Sequence, residues 1–189
     1  MTRATATRLL VERLKGEVVV SNLGQATLDL QKLGDRPLNC YTFGAMGQAS
    51  SIALGIALAR PDRRVICLDG DGSLLMNLGS LCTIATQAPR NFALVVWDNE
   101  VHMTTGGQPT ATAFRSSLAG LARGAGIERV LEPRDEAELG RAYDRILAED
   151  GPWMVPVKVE KGRADGILDR DVLGYTRRFR TALAAVPRG

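Results

Sequence analysis

Asp71 is flanked by glycines in Gly70-Asp71-Gly72-Ser73, directly after the apolar run Val65-Ile66-Cys67-Leu68. Downstream, Ala93-Leu94-Val95-Val96-Trp97 ends in Asp98-Asn99, and the stretch between Gly72 and Asn99 has room for one helix and one return strand. A short apolar run that stops at polar residues and glycine is how a buried parallel strand delivers chemistry to the rim of a sheet. Gly70 and Gly72 let the backbone turn tightly and approach a ligand with no Cβ in the way. The Asp71 carboxylate and the Asn99 amide are hard oxygen donors. Two such oxygens together with a phosphate-bearing ligand suit Mg²⁺, which dehydrates reluctantly and wants an octahedral shell. A surface turn capped by Asp71 or Ser73 would explain the first half and leave Asn99 unexplained. A dinucleotide fingerprint fits worse, because Leu75 stands where Gly-x-Gly-x-x-Gly needs its third glycine.

The elements that must position these groups follow from the pattern along the chain. Thr7 to Leu14 reads as a helix stopped by Gly16, with Leu10, Val11 and Leu14 on one face. Glu17 to Val20 is a strand that opens into Ser21-Asn22-Leu23-Gly24 before a second helix. Cys40-Tyr41-Thr42-Phe43-Gly44-Ala45-Met46-Gly47 leads into a small-residue helix from Gln48 to Ala59, ended by Pro61. Ser73 to Ala88 reads as one helix whose free N–H groups face the Gly-Asp-Gly turn. Arg115 to Gly124 and Asp135 to Glu149 are further helices, Ile127 to Leu131 is a strand, and Asp171 to Ala185 closes the chain as a helix. Met154 to Val159 is a strand in which Pro156 suggests an edge or irregular position. Gly162 to Gly166 is the best candidate for a mobile loop. The alternation predicts an α/β fold: a doubly wound, mainly parallel sheet with helices on both faces and ligands at the carboxyl ends of the strands.

Composition bounds the rest. A chain of 189 residues, 45% apolar and 24% charged, describes one ordinary globular domain, 1–189. The net charge of +3 is scattered apart from Arg177, Arg178 and Arg180, so it reads as solvated helix faces and not as a nucleic-acid footprint. Cys40, Cys67 and Cys82 form an odd set with no Cys-x-x-Cys, which points to a reducing cytoplasm and gives no support to a zinc or iron–sulfur site. No apolar run approaches the roughly 18 residues a membrane helix needs.

Gly70-Asp71-Gly72-Ser73 with Asp98-Asn99 at this distance resembles the diphosphate and Mg²⁺ motif of thiamine diphosphate (ThDP) enzymes. The resemblance implies that Asp71, the Asn99 amide oxygen and the Val101 carbonyl hold Mg²⁺ against the diphosphate, with Gly70, Gly72 and Ser73 at the turn. Gly24 and Gln25 would touch the diphosphate and thiazolium, and the Gly44 carbonyl would accept from the cofactor's amino group. Met46, which by itself also reads as core filler, would wedge beneath the bend between the two rings. Asp98 departs from the pattern, since many members carry a first Asn there. His102, the only histidine, lies three residues past Asn99 and is a candidate catalytic group.

Within that family the chain is similar to the small-subunit group typified by the beta subunit of sulfopyruvate decarboxylase and the matching domain of phosphonopyruvate decarboxylase. The stretches that carry this are Tyr41 to Gly47, Gly70 to Gly79 and Thr104 to Thr110. What it implies is loss of CO₂ from a small anionic 2-oxo acid, with His102, Thr104 and Thr105 available to meet the second anion. The pyrimidine-binding domain and its catalytic Glu would come from an alpha subunit, in a hetro-oligomeric enzyme that needs neither nucleic acid nor membrane. Two other readings stand beside it: the beta chain of a 2-oxo acid oxidoreductase, and a binding module that has kept the fold and lost the chemistry.

Overall fold

The computed structural model describes residues 1–44 and 46–185. Helix α1 (Arg3–Val11) leads into strand β1 (Val18–Ser21), α2 (Gln25–Gly34) and β2 (Asn39–Tyr41). Then come α3 (Ala49–Ala59), β3 (Val65–Gly70), α4 (Asp71–Leu75), α5 (Gly79–Gln87) and β4 (Phe92–Asp98). A small hairpin, β5 (Val101–His102) with β6 (Gln108–Pro109), precedes a 3₁₀ turn at Ala111–Ala113 and α6 (Leu118–Gly124). Strand β7 (Arg129–Val130), α7 (Glu136–Ala148), β8 (Trp153–Lys158) and α8 (Val172–Ala184) complete the order.

Six strands form one sheet in the order β2-β1-β3-β4-β8-β7, every neighbouring pair parallel. The chain steps outward from β1 to β2 and then returns to the other side of β1 with β3. The order therefore reverses between β1 and β3, the place where open α/β sheets leave a crevice for ligands. Both faces are covered, which is why β3 and β4 are apolar at nearly every position. Ile66, Leu68, Val95 and Trp97 face one core with Leu10, Leu30 and Tyr143, from α1, α2 and α7. Val65, Cys67, Leu94 and Val96 face the other, with Ala53, Ile84 and Ala122 from α3, α5 and α6. Helix α8 lies along the edge strand β2, held by Arg178 to Asp35 and by the edge-to-face rings of Tyr41 and Tyr175. Among the described residues no helix is long and apolar enough to cross a membrane.

Several expected elements differ in detail. The first helix begins at Arg3, because Thr2 Oγ1 accepts the Thr5 N–H at 3.0 Å and caps it, and it ends at Val11. The single helix expected from Ser73 to Ala88 is two, α4 and α5. They are separated where Met76 and Asn77 make tight bonds to the carbonyls three residues back. Asn77 and Gly79 are weak helix formers, and the Asn77 amide is drawn away to the Gly47 carbonyl. Pro156 does not mark an edge, since β8 lies between β4 and β7. Met154 faces β7, where its carbonyl accepts Leu131 N–H, so Pro156 two residues on faces the same way, beyond the end of β7. Its missing N–H breaks no ladder bond. The expected loose loop at Gly162 to Gly166 is tied by Arg3 to the Gly162 carbonyl, by Ala164 N–H to Gln25 Oε1 and by Lys32 to the Asp165 carbonyl.

Candidate functional site

A cavity of about 70 Å³ opens at the carboxyl ends of the central strands, beside the reversal in strand order. Asn22, Leu23 and Gln25 reach it from the loop after β1, Gly70 to Ser73 from the turn after β3, and Asn99 and Val101 to Thr104 from the segment after β4. Met46 enters from the loop before α3. Of the predicted site residues, Gln25, Met46, Gly70, Asp71, Gly72, Ser73, Asn99, Val101 and His102 therefore share one cavity, while Gly24 and Gly44 do not line it. Gly24, in the left-handed region at φ +74°, packs instead against the hairpin loop, where a Cβ would stand 3.0 Å from Thr104 Oγ1. Gly44 is exposed.

Asp71 is buried at 2% exposure, and both its hydroxyl hydrogen bonds fall on one oxygen. Thr110 Oγ1 donates to Oδ2 at 2.6 Å, and Thr112 Oγ1, whose one proton is shared with Asp98, lies 3.1 Å from the same oxygen, leaving Oδ1 as the oxygen for a further partner. Burial raises its pKa above the ordinary carboxylate value, the Thr110 hydroxyl opposes that, and the charge of Asp98 adds to it. Among the described residues no Lys or Arg forms an ion pair with Asp71. A buried carboxylate held in this way is short of positive charge.

Asp98 has a different surrounding. Lys158 Nζ lies 2.9 Å from Oδ2, and Thr112 Oγ1 donates to Oδ1 at 2.7 Å. The acid that replaces an expected amide thus has its own cation and does not line the cavity. Asn99 Oδ1 accepts the Val101 N–H at 3.1 Å, which closes a turn with Glu100 in the left-handed region at φ +64°. The Val101 carbonyl accepts Met103 N–H at 3.1 Å and keeps a second lone pair. His102 folds back over the turn, its Nδ1 buried and without a hydrogen-bond partner among the described residues. Among the described residues no three His, Cys, Asp or Glu side chains converge as a ready-made metal cage. Asp71, Asn99 and Val101, which carry a carboxylate, an amide and a main-chain carbonyl, line the same cavity.

Sequence reasoning missed four contributors. Arg3 lines the cavity from α1, buried at 8% exposure and paired with Asp29 at 2.6 Å. Trp97 lines it with Nε1 buried and unpartnered among the described residues. Thr112 bridges Asp71 to Asp98, and Asp69, fully buried on β3, has its pKa pushed up to about 6 by burial against the pull of the Ser73 hydroxyl. Arg3 and Asp29 meet only because α1 packs on α2, and no local pattern announces that.

Residues 22–157 match the family described as thiamine pyrophosphate enzyme, C-terminal TPP binding domain. The chain belongs to this family. All the predicted site residues, Gly24 to His102, fall inside the matched span, and Arg3 falls outside it. Among relatives of the family, the sulfopyruvate decarboxylase subunit beta of Methanothermobacter thermautotrophicus is 41% identical over 174 residues, covering 89% of this chain and 90% of that protein. The phosphonopyruvate decarboxylase of Streptomyces viridochromogenes is 39% identical over 188 residues, covering 98% of this chain but 47% of that protein. The chain thus spans about half of the one relative and nearly all of the other. A thiamin diphosphate-dependent enzyme of Mycobacterium smegmatis has the same fold, with a TM-score of 0.74 at 23% identity over 86% of this chain and 32% of that one. The parallel sheet of this chain is the α/β thiamine diphosphate-binding fold.

Proposed function

We propose that this chain is the diphosphate-binding beta subunit of a ThDP- and Mg²⁺-dependent decarboxylase. Its substrate is a small 2-oxo acid with a second anionic group, such as sulfopyruvate or phosphonopyruvate, released as CO₂ and the aldehyde. The observation that carries this reading is Asp71: a buried carboxylate with no cationic partner among the described residues, sharing a cavity with Asn99 and Val101 beside the strand-order reversal. The donor set fits Mg²⁺, since all three groups are hard oxygens and a diphosphate and water would supply the rest of the octahedral shell. The names of the relatives, decarboxylases of sulfopyruvate and phosphonopyruvate, support the substrate class.

Each residue then has a task. Asp71, the Asn99 amide and the Val101 carbonyl hold the metal, and Thr110 and Thr112 keep the Asp71 carboxylate turned so that Oδ1 is free. Gly70 and Gly72 allow close approach of the diphosphate, and Gln25, whose Oε1 is used by Ala164, presents its Nε2 donors. Gly24 sets the loop after β1, and the Gly44 carbonyl is offered to the cofactor's amino group. Met46 supports the bend between the rings. When bound, the cofactor supplies an electron sink for the loss of CO₂. His102, which lines the cavity, would meet substrate or hold a proton.

The site needs a second carboxylate to take up a proton, and Asp71 is the only acidic residue among the described residues that line the cavity. This supports an alpha subunit that brings the pyrimidine-binding domain and its Glu, as the word beta in the relatives' names implies. The enzyme is then a hetero-oligomer, at work in the cytoplasm, and residues 1–189 act as one diphosphate-binding domain. The test is CO₂ release from sulfopyruvate and phosphonopyruvate, with ThDP and Mg²⁺, by the purified chain before and after adding the alpha subunit. Release only from the mixture is expected. Turnover by the chain alone would overturn the shared site, and no release from the mixture with either acid would overturn the substrate class.

A further inference from the structure

Gly47 follows Met46 and sits in the left-handed region at φ +84°. Its N–H donates to Ser73 Oγ at 2.8 Å, and its carbonyl accepts from Asn77 Nδ2, also at 2.8 Å. A Cβ on this residue would stand 3.1 Å from Asn77 Cβ and 3.3 Å from the Ser73 carbonyl. The residue is thus gripped at both polar ends and seated against the same segment that carries Asp71. Ser73 and Asn77 are four apart, so both point to one side of the chain where α4 ends. Asn77 Nδ2 also lies 3.3 Å from Ser51 Oγ in the first turn of α3, which ties the loop to the helix it leads into.

The Gly47 N–H belongs to the peptide that joins Met46 to Gly47. Ser73 holds that peptide by its N–H, and Asn77 holds the following peptide by the Gly47 carbonyl. Together they fix the two planes on either side of the Gly47 Cα, and with them where the Met46 Cα stands and the direction in which its side chain leaves the backbone. We infer that Asn77 is a positioning residue that sets Met46 in the cavity by holding the Gly47 carbonyl, without contact with cofactor or substrate. Ser73 lines the cavity and Asn77 does not, so Asn77 separates positioning from contact. The inference rests on the function proposed above, in which Met46 supports the bend of the cofactor.

The experiment uses Asn77→Ala and Asn77→Asp in the full chain, alone and with the alpha subunit. The Asp variant sets a carboxylate oxygen against the Gly47 carbonyl, so its effect should exceed that of Ala. Misplacement of reacting groups by an ångström costs up to about 10²-fold, so kcat should fall roughly 10-fold in the Ala variant and further in the Asp variant, with the ThDP dissociation constant within about 3-fold of wild type. A second readout is the ¹³C-methyl spectrum of the five methionines, with Met46 assigned from the signal lost in Met46→Leu. In the full chain alone, the Met46 methyl should move in both Asn77 variants while that of Met154, buried in the sheet, stays. An unmoved Met46 signal with unchanged kcat, or a loss of cofactor affinity as large as the loss of kcat, would overturn the inference. If the wild-type enzyme releases no CO₂, the proposed function fails, while the Met46 signal still decides whether Asn77 holds the loop.

Discussion

Gly72 and His102 are pressed together: a Cβ added to Gly72 would stand 2.4 Å from His102 Nδ1. The hairpin β5–β6 therefore lies directly on the turn that carries Asp71, and the glycine is what lets it. Thr110, at the far end of the hairpin, is 3.1 Å from the same point and hydrogen-bonded to Asp71. The turn after β3 and the segment after β4 form one packed unit.

Gly72→Ala should therefore push the imidazole out of its seat. Overpacking of this kind costs about 1–3 kcal/mol. Urea unfolding reads the loss, and because His102 is the only histidine, its imidazole signals report the displacement directly. Unchanged stability together with unchanged imidazole signals would contradict the contact.

Asp71→Asn and Asn99→Ala are expected to weaken Mg²⁺-dependent ThDP binding severely while the chain stays folded. Both lie at strand ends, and changes even to groups that only support metal ligands cost roughly 10- to 100-fold in affinity, so at least about 10²-fold is expected for each. Calorimetric titration of ThDP with and without Mg²⁺ measures this. Wild-type affinity in both variants would sink the metal assignment.

Arg178→Met should loosen α8 from the edge of the sheet in a pH-dependent way. Arg178 Nη1 and Nη2 meet the two Asp35 oxygens at 2.7 and 2.5 Å, and Tyr41 donates to Oδ1 at 2.7 Å. Burial opposes ionisation of Asp35, but the hydrogen bonds from Arg178 and Tyr41 outweigh it and hold the pKa below the ordinary 3.8. A lowered carboxylate pKa contributes stability that is present above the unfolded value and lost as pH falls through the folded one. The variant should be less stable than wild type by about 1 kcal/mol at pH 7, the scale of a partly exposed ion pair. The difference should shrink below pH 3.8 as Asp35 takes up its proton. Unfolding curves at both pH values check it, and a gap that stays constant would mean the pair is not the cause.

Much of the molecule was legible in the chain itself. Apolar runs ending at Asp69-Gly70-Asp71-Gly72 and Asp98-Asn99 located β3, β4 and the cavity between their ends, because a strand buried on both faces must be apolar through its middle and turns polar only toward its rim. The spacing of those runs, one helix and one strand apart, was enough to expect a parallel sheet and a shared pocket. Local signals failed where a group's partner is distant in sequence. Asp98 looked like a departure until Lys158 was found 2.9 Å away, across the β4–β8 pair. Arg3 is a plain helix residue until α1 lies on α2 and brings Asp29 beside it. The break between α4 and α5 follows from Asn77 reaching Gly47, thirty positions back, a bond no window of local propensity contains. The residue types and their order determined which chemistry is available and at which strand ends it stands. Which carboxylate keeps a free oxygen, which acquires a lysine, and how Met46 is held were decided only when the sheet closed, because those bonds form between segments that meet nowhere but in the folded chain.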